Sequence, residues 1–184
     1  HPSIIKFIGY SPIDDSKEPR PVFITEFLPN SLLSQFLKER ENQEEEEEKI
    51  ITLNDTNKLI ILYGIASAMS FLHSHDIIHR DLKPGNISLT ENFYPKLNGL
   101  FLCKKINENS MNSKIEYVGT PAYLAPEIIT DRKYSKSSDV YAFSLVMFEL
   151  LTNEKPFETF SNKFPFLDEM EKNTKIYCND WFIY

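Results

Sequence analysis

The sequence predicts an α+β domain, with short strands first and long apolar helices after. Two short β-type runs, Ile4–Ile8 and Val22–Thr25, lie before residue 26. Apolar residues then recur at three- and four-residue steps between Leu59 and His73. A third segment, Ser138–Leu151 (SDVYAFSLVMFELL), is apolar almost throughout and reads as a central core helix.

The elements follow in order. Gly9-Tyr10-Ser11-Pro12 reads as a turn after the first strand, and a polar, Pro-rich stretch, 14–21, leads into the second. Pro29-Asn30-Ser31 opens a short helix, Leu32–Glu39, with Leu33, Phe36 and Leu37 on one side. Residues 41–49 form an acidic low-complexity loop, because like charges repel and leave nothing to bury. Asn54-Asp55-Thr56 supplies N-cap candidates for the next helix. Its expected buried stripe is Leu59, Leu62, Ala66, Met69 and His73, broadened by Ile60, Ile61, Ile65 and Phe71. Ile87–Leu89 and Pro95–Leu97, around a turn at Glu91-Asn92, read as a hairpin. Residues 104–118 are polar and irregular, and Pro156 ends the last helix.

Composition narrows the functional classes. The 184 residues include 41% hydrophobic side chains, enough for one domain with a core. The formal charge is -7, but Glu41 and Glu44 to Glu48 supply six of the acids. Without them 20 basic residues face 21 acidic ones, so there is no basic patch for nucleic acid. Cys103 and Cys178 have no ligand-like spacing and are expected as reduced thiols of a cytoplasmic protein. The longest apolar stretch, Leu59–Leu72, is too short and mixed to span a bilayer.

The chemistry is concentrated in His79-Arg80-Asp81-Leu82-Lys83-Pro84-Gly85-Asn86. Asp81 can accept the proton of an attacking hydroxyl as a general base. Lys83 offers a point charge to a phosphate whose charge spreads over three oxygens. Asn86 offers a neutral oxygen to a hard cation. His79, preceded by Ile77 and Ile78, reads as a packed structural residue. Arg80 reads as a cation awaiting an anion such as a phosphorylated residue.

This run resembles the catalytic loop of eukaryotic protein kinases. Gly119-Thr120-Pro121-Ala122-Tyr123-Leu124-Ala125-Pro126-Glu127 resembles the end of that family's activation segment. Asp139-Val140-Tyr141 resembles the start of its central helix, where the Asp caps the catalytic-loop backbone. Val22–Phe27 resembles the strand and hinge of the nucleotide pocket, with Thr25 at the gatekeeper position. The resemblance implies a kinase-like fold, mostly the helical C-terminal lobe with the last strands and hinge of the N-terminal lobe. Residues 1–30 would end the small lobe, 31–165 would form the large lobe with an insert at 41–49, and 166–184 stays unassigned. The Gly-rich loop, strand lysine and helix glutamate of a complete small lobe are not in these residues.

By the same resemblance Asp81, Lys83 and Thr120 are catalytic, Thr120 bonding both others. Asn86 is a metal ligand, and Thr25, Glu26, Phe27, Leu28 and Ser88 line the nucleotide pocket. His79, Arg80, Leu100, Glu127 and Asp139 are structural or regulatory. ATP and Mg²⁺ are the implied cofactors, and a protein substrate or signalling partner is implied beside them. Lys83-Pro84 and Gly119-Thr120-Pro121 match serine/threonine kinases, while the hinge and Asp139-Val140-Tyr141 lean to the tyrosine-kinase-like group. Ser110, Ser113 and Thr120 fall in the activation segment.

Three departures stand against this pattern. Where the family has a metal-binding Asp followed by Phe and Gly, this chain has Gly99, Leu100 and Phe101, with Leu100 able to keep the apolar role of the Phe. Ser88 stands where an apolar residue lies beneath the adenine ring, and Ser31 replaces the hinge glycine. Two functions follow as expectations: a serine/threonine protein kinase with an impaired metal site, or a pseudokinase acting as a non-catalytic signalling scaffold.

Overall fold

The computed structural model describes residues 1–29, 32–38, 53–106 and 118–156. Ser31, the acidic stretch 41–49, Ser110, Ser113, Cys178 and the segment 166–184 lie outside the described residues.

Among the described residues the strands form three antiparallel pairs. Strand β1 (Phe7–Ser11) pairs with β2 (Val22–Thr25), with a register shift between Phe7 and Gly9. Helix α1 (Leu33–Lys38) follows, then the long helix α2 (Asp55–Ser74). Strand β3 (Ile77–Ile78) leads into the His79 loop. Strands β4 (Ile87–Leu89) and β5 (Pro95–Leu97) form the expected hairpin, and β6 (Lys104–Lys105) returns to pair with β3. Helices α3 (Pro126–Asp131) and α4 (Lys136–Thr152) complete the order. This is the α+β, kinase-like arrangement the resemblance implies, with one strand pair before the helices and the other four strands between α2 and α3.

The first strand starts later than expected. Ile4 forms a parallel bridge to Leu97, and the Ile5 N–H donates to the Leu97 carbonyl at 3.1 Å. The apolar run therefore divides: its start adds to the edge of β5, and its end begins the β1–β2 hairpin. Gly9-Tyr10-Ser11 accordingly lies in the strand, not in a turn, because its backbone finds partners in β2.

Helix caps set the other boundaries. The Asn54 side chain accepts from the Asn57 N–H at 2.8 Å, fixing the start of α2. Helix α4 begins two residues before the expected Ser138, because Ser135 and Ser138 form a reciprocal capping box. It runs one residue past Leu151 and ends at Asn153 in a left-handed conformation.

The buried face of α2 also differs from the expected stripe. Ile61, Ile65, Ala68, Met69 and Leu72 are buried, while Leu59 is 67% exposed and Ala66 faces solvent. Both sets repeat at three and four residues, so a helix this apolar leaves its phase open. The neighbours decide it: α2 packs on β5 and α4, and the core joins its buried stripe to Leu33, Leu82, Ile87, Leu97, Val146 and Leu150. No helix among the described residues is long and apolar enough to cross a membrane.

The phase can be checked by mutation. Ile65→Ala should destabilise the protein by about 2–5 kcal/mol, as deletion of a fully buried branched side chain does. Leu59→Ala should stay within about 0.5 kcal/mol. Urea unfolding of the two variants measures both, and equal losses would contradict the buried face described above.

Candidate active site

The loop at His79 is held from below by one carboxylate. Asp139, in the first turn of α4, is 2% exposed. Its Oδ2 accepts the His79 N–H at 2.8 Å and its Oδ1 accepts the Arg80 N–H at 3.0 Å. His73 on α2 places Nε2 2.8 Å from the same Oδ2. Arg80 takes a left-handed backbone with φ of 70°, which costs a residue with a Cβ on the order of 1 kcal/mol. The two charge-assisted bonds to Asp139 offset that strain.

Arg80 points away from the loop. Its Nε donates to the Leu102 carbonyl at 2.6 Å, and its guanidinium carbon lies 5.5 Å from the centre of the Tyr134 ring. Among the described residues its contacts are thus a carbonyl and a ring, while Ser110 and Ser113 lie outside them.

His79 has no exposed surface. Its Nε2 faces the Asn98 carbonyl at 2.7 Å and its Nδ1 faces the Asp81 N–H at 3.3 Å. A carbonyl only accepts and an N–H only donates, so the ring must be neutral with its proton on Nε2. Burial pushes its pKa down from the usual value, against the pull of Asn98, Asp139 and Asp81.

Asp81 sits at the centre of a filled set of donors. Thr120 Oγ1 donates to Asp81 Oδ1 at 2.7 Å and accepts from Lys83 Nζ at 2.6 Å. Lys83 Nζ is also 3.3 Å from Asp81 Oδ2. Asn86 Nδ2 donates to the Asp81 backbone carbonyl and to Oδ2, both at 2.6 Å. Both of those partners are acceptors, so the amide orientation is fixed with its NH₂ toward Asp81. Three of about four lone-pair directions on this carboxylate therefore face fixed donors.

Two glycines make these contacts possible. Gly119 has φ of 105°, and a Cβ there would stand 2.5 Å from the Arg80 carbonyl oxygen. The segment carrying Thr120 reaches Asp81 only because residue 119 has no side chain. Gly99 has φ of 74°, and a Cβ there would stand 2.8 Å from the Asn86 Cγ and Nδ2. The Asn86 amide occupies the space a side chain at 99 would need.

Above this cluster lies a cavity of about 530 Å³. Thr25, Glu26, Phe27, Leu28 and Ser88 all line it, together with Asn98, Gly99 and Leu100. Glu26 is tied down: its Oε1 accepts from the Lys6 N–H at 2.8 Å and pairs with Lys96 Nζ at 2.9 Å. The Lys96 bond, first among several causes, holds its carboxyl below the usual range. Leu100 packs against the main core, whereas Phe101 is 56% exposed.

Glu127 lies in the first turn of α3, and its charge, after burial, raises the pKa of the Tyr141 hydroxyl. Among the described residues no group of three or more His, Cys, Asp or Glu side chains gathers to hold a metal.

Three contributors escape sequence reasoning. Tyr123 donates to the buried Glu149 Oε2 at 2.5 Å, which fastens the Gly119–Glu127 segment to α4. Burial and that carboxylate raise the tyrosine pKa. Lys96 and Glu26 are 70 residues apart, and no periodicity links them. Asn98 is the third: it stands in no motif, it follows a β4–β5 register unbroken through Ile87–Leu97, and its amide turns to Ser88.

A β hairpin beside a helical body, with an Asp–Lys–Thr–Asn cluster at the start of the 79–86 loop, is the arrangement that the resemblance to protein kinases implies. The protein kinase domain family matches residues 1–181, and the chain belongs to that family. It is 34% identical over 158 residues, 86% of the chain, to a probable serine/threonine-protein kinase of Dictyostelium discoideum, spanning 11% of that protein. It is 35% identical over 163 residues, 85% of the chain, to an L-type lectin-domain containing receptor kinase of Arabidopsis thaliana, spanning 23% of it. An RGS domain-containing serine/threonine-protein kinase of Dictyostelium discoideum is 31% identical over 88% of the chain, which spans 13% of that protein. The chain thus covers less than a quarter of the length of these relatives and corresponds to a serine/threonine-type kinase domain.

The neutral His79 sets a pH dependence. Its folded pKa lies below the usual value, so the unfolded chain binds the extra proton first as pH falls. Stability should be level above about pH 6.5 and should decline as pH drops from there toward the folded pKa. Unfolding midpoints between about pH 7.5 and 5 measure it. His79→Gln, which does not titrate there, should flatten that part of the profile.

Proposed function

We propose that this domain is a tyrosine-kinase-like serine/threonine kinase domain that keeps the catalytic loop but does not transfer phosphate, and serves as a non-catalytic signalling or scaffold module. Within it, residues 1–30 end the small lobe and carry the hinge, and 31–165 form the large lobe. The observation that supports this reading is that the Asn86 amide fills the space a Cβ at Gly99 would need.

The family's fold generally implies ATP with Mg²⁺, and the residues present do not suit that ion. Gly99, at the position of the family's metal-binding Asp, brings no side-chain oxygen. Asn86 commits its NH₂ to Asp81, and its amide fills the space a Cβ at 99 would need. A hard divalent cation prefers six or so oxygen ligands and usually at least one free carboxylate. Here the carboxylate of the cluster, Asp81, is shared among Lys83, Thr120 and Asn86.

A second reading, an active serine/threonine kinase, draws on one specific feature. The Lys83–Thr120–Asp81 chain, at 2.6 and 2.7 Å, holds a base and a cation together as hydroxyl activation and phosphate neutralisation require.

Phosphate transfer from labelled ATP to protein acceptors, assayed on the full-length protein with Mg²⁺, separates the two. The non-catalytic reading expects no transfer above an Asp81→Asn control and no Mg²⁺-dependent thermal shift with ATP. Transfer that Asp81→Asn abolishes would falsify it. In that case Gly99→Asp should raise the rate, since Asp tolerates the left-handed backbone once Asn86 swings aside.

A further inference from the structure

The start of α4 fixes two side chains that meet beside the catalytic cluster. Tyr134 stands immediately before the Ser135 N-cap, whose capping box with Ser138 sets the backbone there. Asp139, in the first turn of the same helix, holds the Arg80 N–H at 3.0 Å. The Arg80 guanidinium carbon lies 5.5 Å from the centre of the Tyr134 ring, within reach of a cation–π contact. The ring also packs against the cluster of Leu124, Ala125 and Ile128.

Each of the two side chains grips backbone elsewhere. The Tyr134 hydroxyl accepts the Val118 N–H at 2.8 Å and donates to the Val118 carbonyl at 2.6 Å. One phenol, donor and acceptor at once, thereby satisfies both backbone groups of one residue. The Arg80 Nε donates to the Leu102 carbonyl at 2.6 Å, at the end of the Leu100–Leu102 turn. Next to Val118, Gly119 lies so close to Arg80 that a Cβ would stand 2.5 Å from the arginine's carbonyl oxygen. Thr120 follows, with its hydroxyl between Asp81 and Lys83. Three consecutive residues therefore run without slack: Val118 is pinned, Gly119 is pressed against Arg80, and Thr120 lands on the carboxylate.

We propose that Arg80 and Tyr134 form a clasp that joins the Leu100–Leu102 turn to Val118 and sets Thr120 against Asp81 and Lys83, with Tyr134 as the positioning residue. Unmodified side chains make every bond in it, so the clasp needs no phosphate to form. The arginine that the sequence reads as awaiting an anion is engaged by a carbonyl and a ring. This goes beyond the reading of the domain as non-catalytic and holds whether or not phosphate is transferred.

Hydrogen exchange and lysine acylation on the full-length protein test it. Tyr134→Phe keeps the ring against Arg80 and removes both bonds to Val118. Exchange of the Val118 amide should then rise about tenfold, the factor for loss of one well-made hydrogen bond. Acylation of Lys83 by acetic anhydride, read by mass spectrometry, should rise about threefold, since Thr120 no longer holds its Nζ. Thr120→Val should raise Lys83 acylation while leaving Val118 exchange unchanged, and the double variant should acylate no faster than Thr120→Val alone. Arg80→Met should raise both readings, which serves if the phenylalanine variant fails to fold. Phosphatase treatment of the wild-type protein should change neither.

Unchanged Val118 exchange in Tyr134→Phe would overturn the clasp. Raised exchange with unchanged Lys83 acylation would overturn the positioning of Thr120. Protection of Val118 or Lys83 that phosphatase removes would mean that a phosphate completes the contact, and would overturn a clasp made by unmodified side chains.

Discussion

The Asp139 carboxylate is the constraint on which the rest of this site depends. It sits at the start of α4 and grips two consecutive backbone N–H groups of another segment, 60 and 59 residues away in sequence. That grip holds Arg80 in a left-handed conformation, between an Asp81 that faces Thr120, Lys83 and Asn86 and a His79 that faces Asn98. His79 then reaches the carbonyl of Asn98, fixing the segment that precedes Gly99. A charged acceptor in a site this buried must be fully bonded to be tolerated. Here its partners are the backbone of the working loop.

The loop chemistry that follows is a competition for one carboxylate. Thr120 holds Asp81 Oδ1, while Lys83 and Asn86 share Oδ2. With any side chain at 99 the Asn86 amide would have to sit elsewhere, since the Cβ alone would stand 2.8 Å from it. The glycine therefore makes room, and a neighbouring amide settles onto the Asp81 carboxylate.

Local motifs were legible in the sequence, and phase and long-range partners were not. The His79–Asn86 run, the 87–97 hairpin and the helices carry their own signals in turn residues, caps and apolar runs. The N-cap at Asn54 could be read directly, because a cap is a local bond. The phase of α2 could not, because several faces are apolar and β5 and α4 choose among them. The split of Ile4–Ile8 between two sheets, the Lys96–Glu26 pair and the Tyr123–Glu149 bond depend on contacts dozens of residues apart. Asn98 stands in no motif of the sequence, and its bond to Ser88 comes only with the fold.

Thr120 illustrates what such a filled site forbids. Its hydroxyl oxygen gives its proton to Asp81 and takes one from Lys83, so both of its roles are in use. A phosphate on that oxygen would add about 1.5–2 negative charges next to a carboxylate and remove the proton that joins them. Of Ser110, Ser113 and Thr120, this is the hydroxyl whose modification would first have to break the Asp81–Thr120–Lys83 chain.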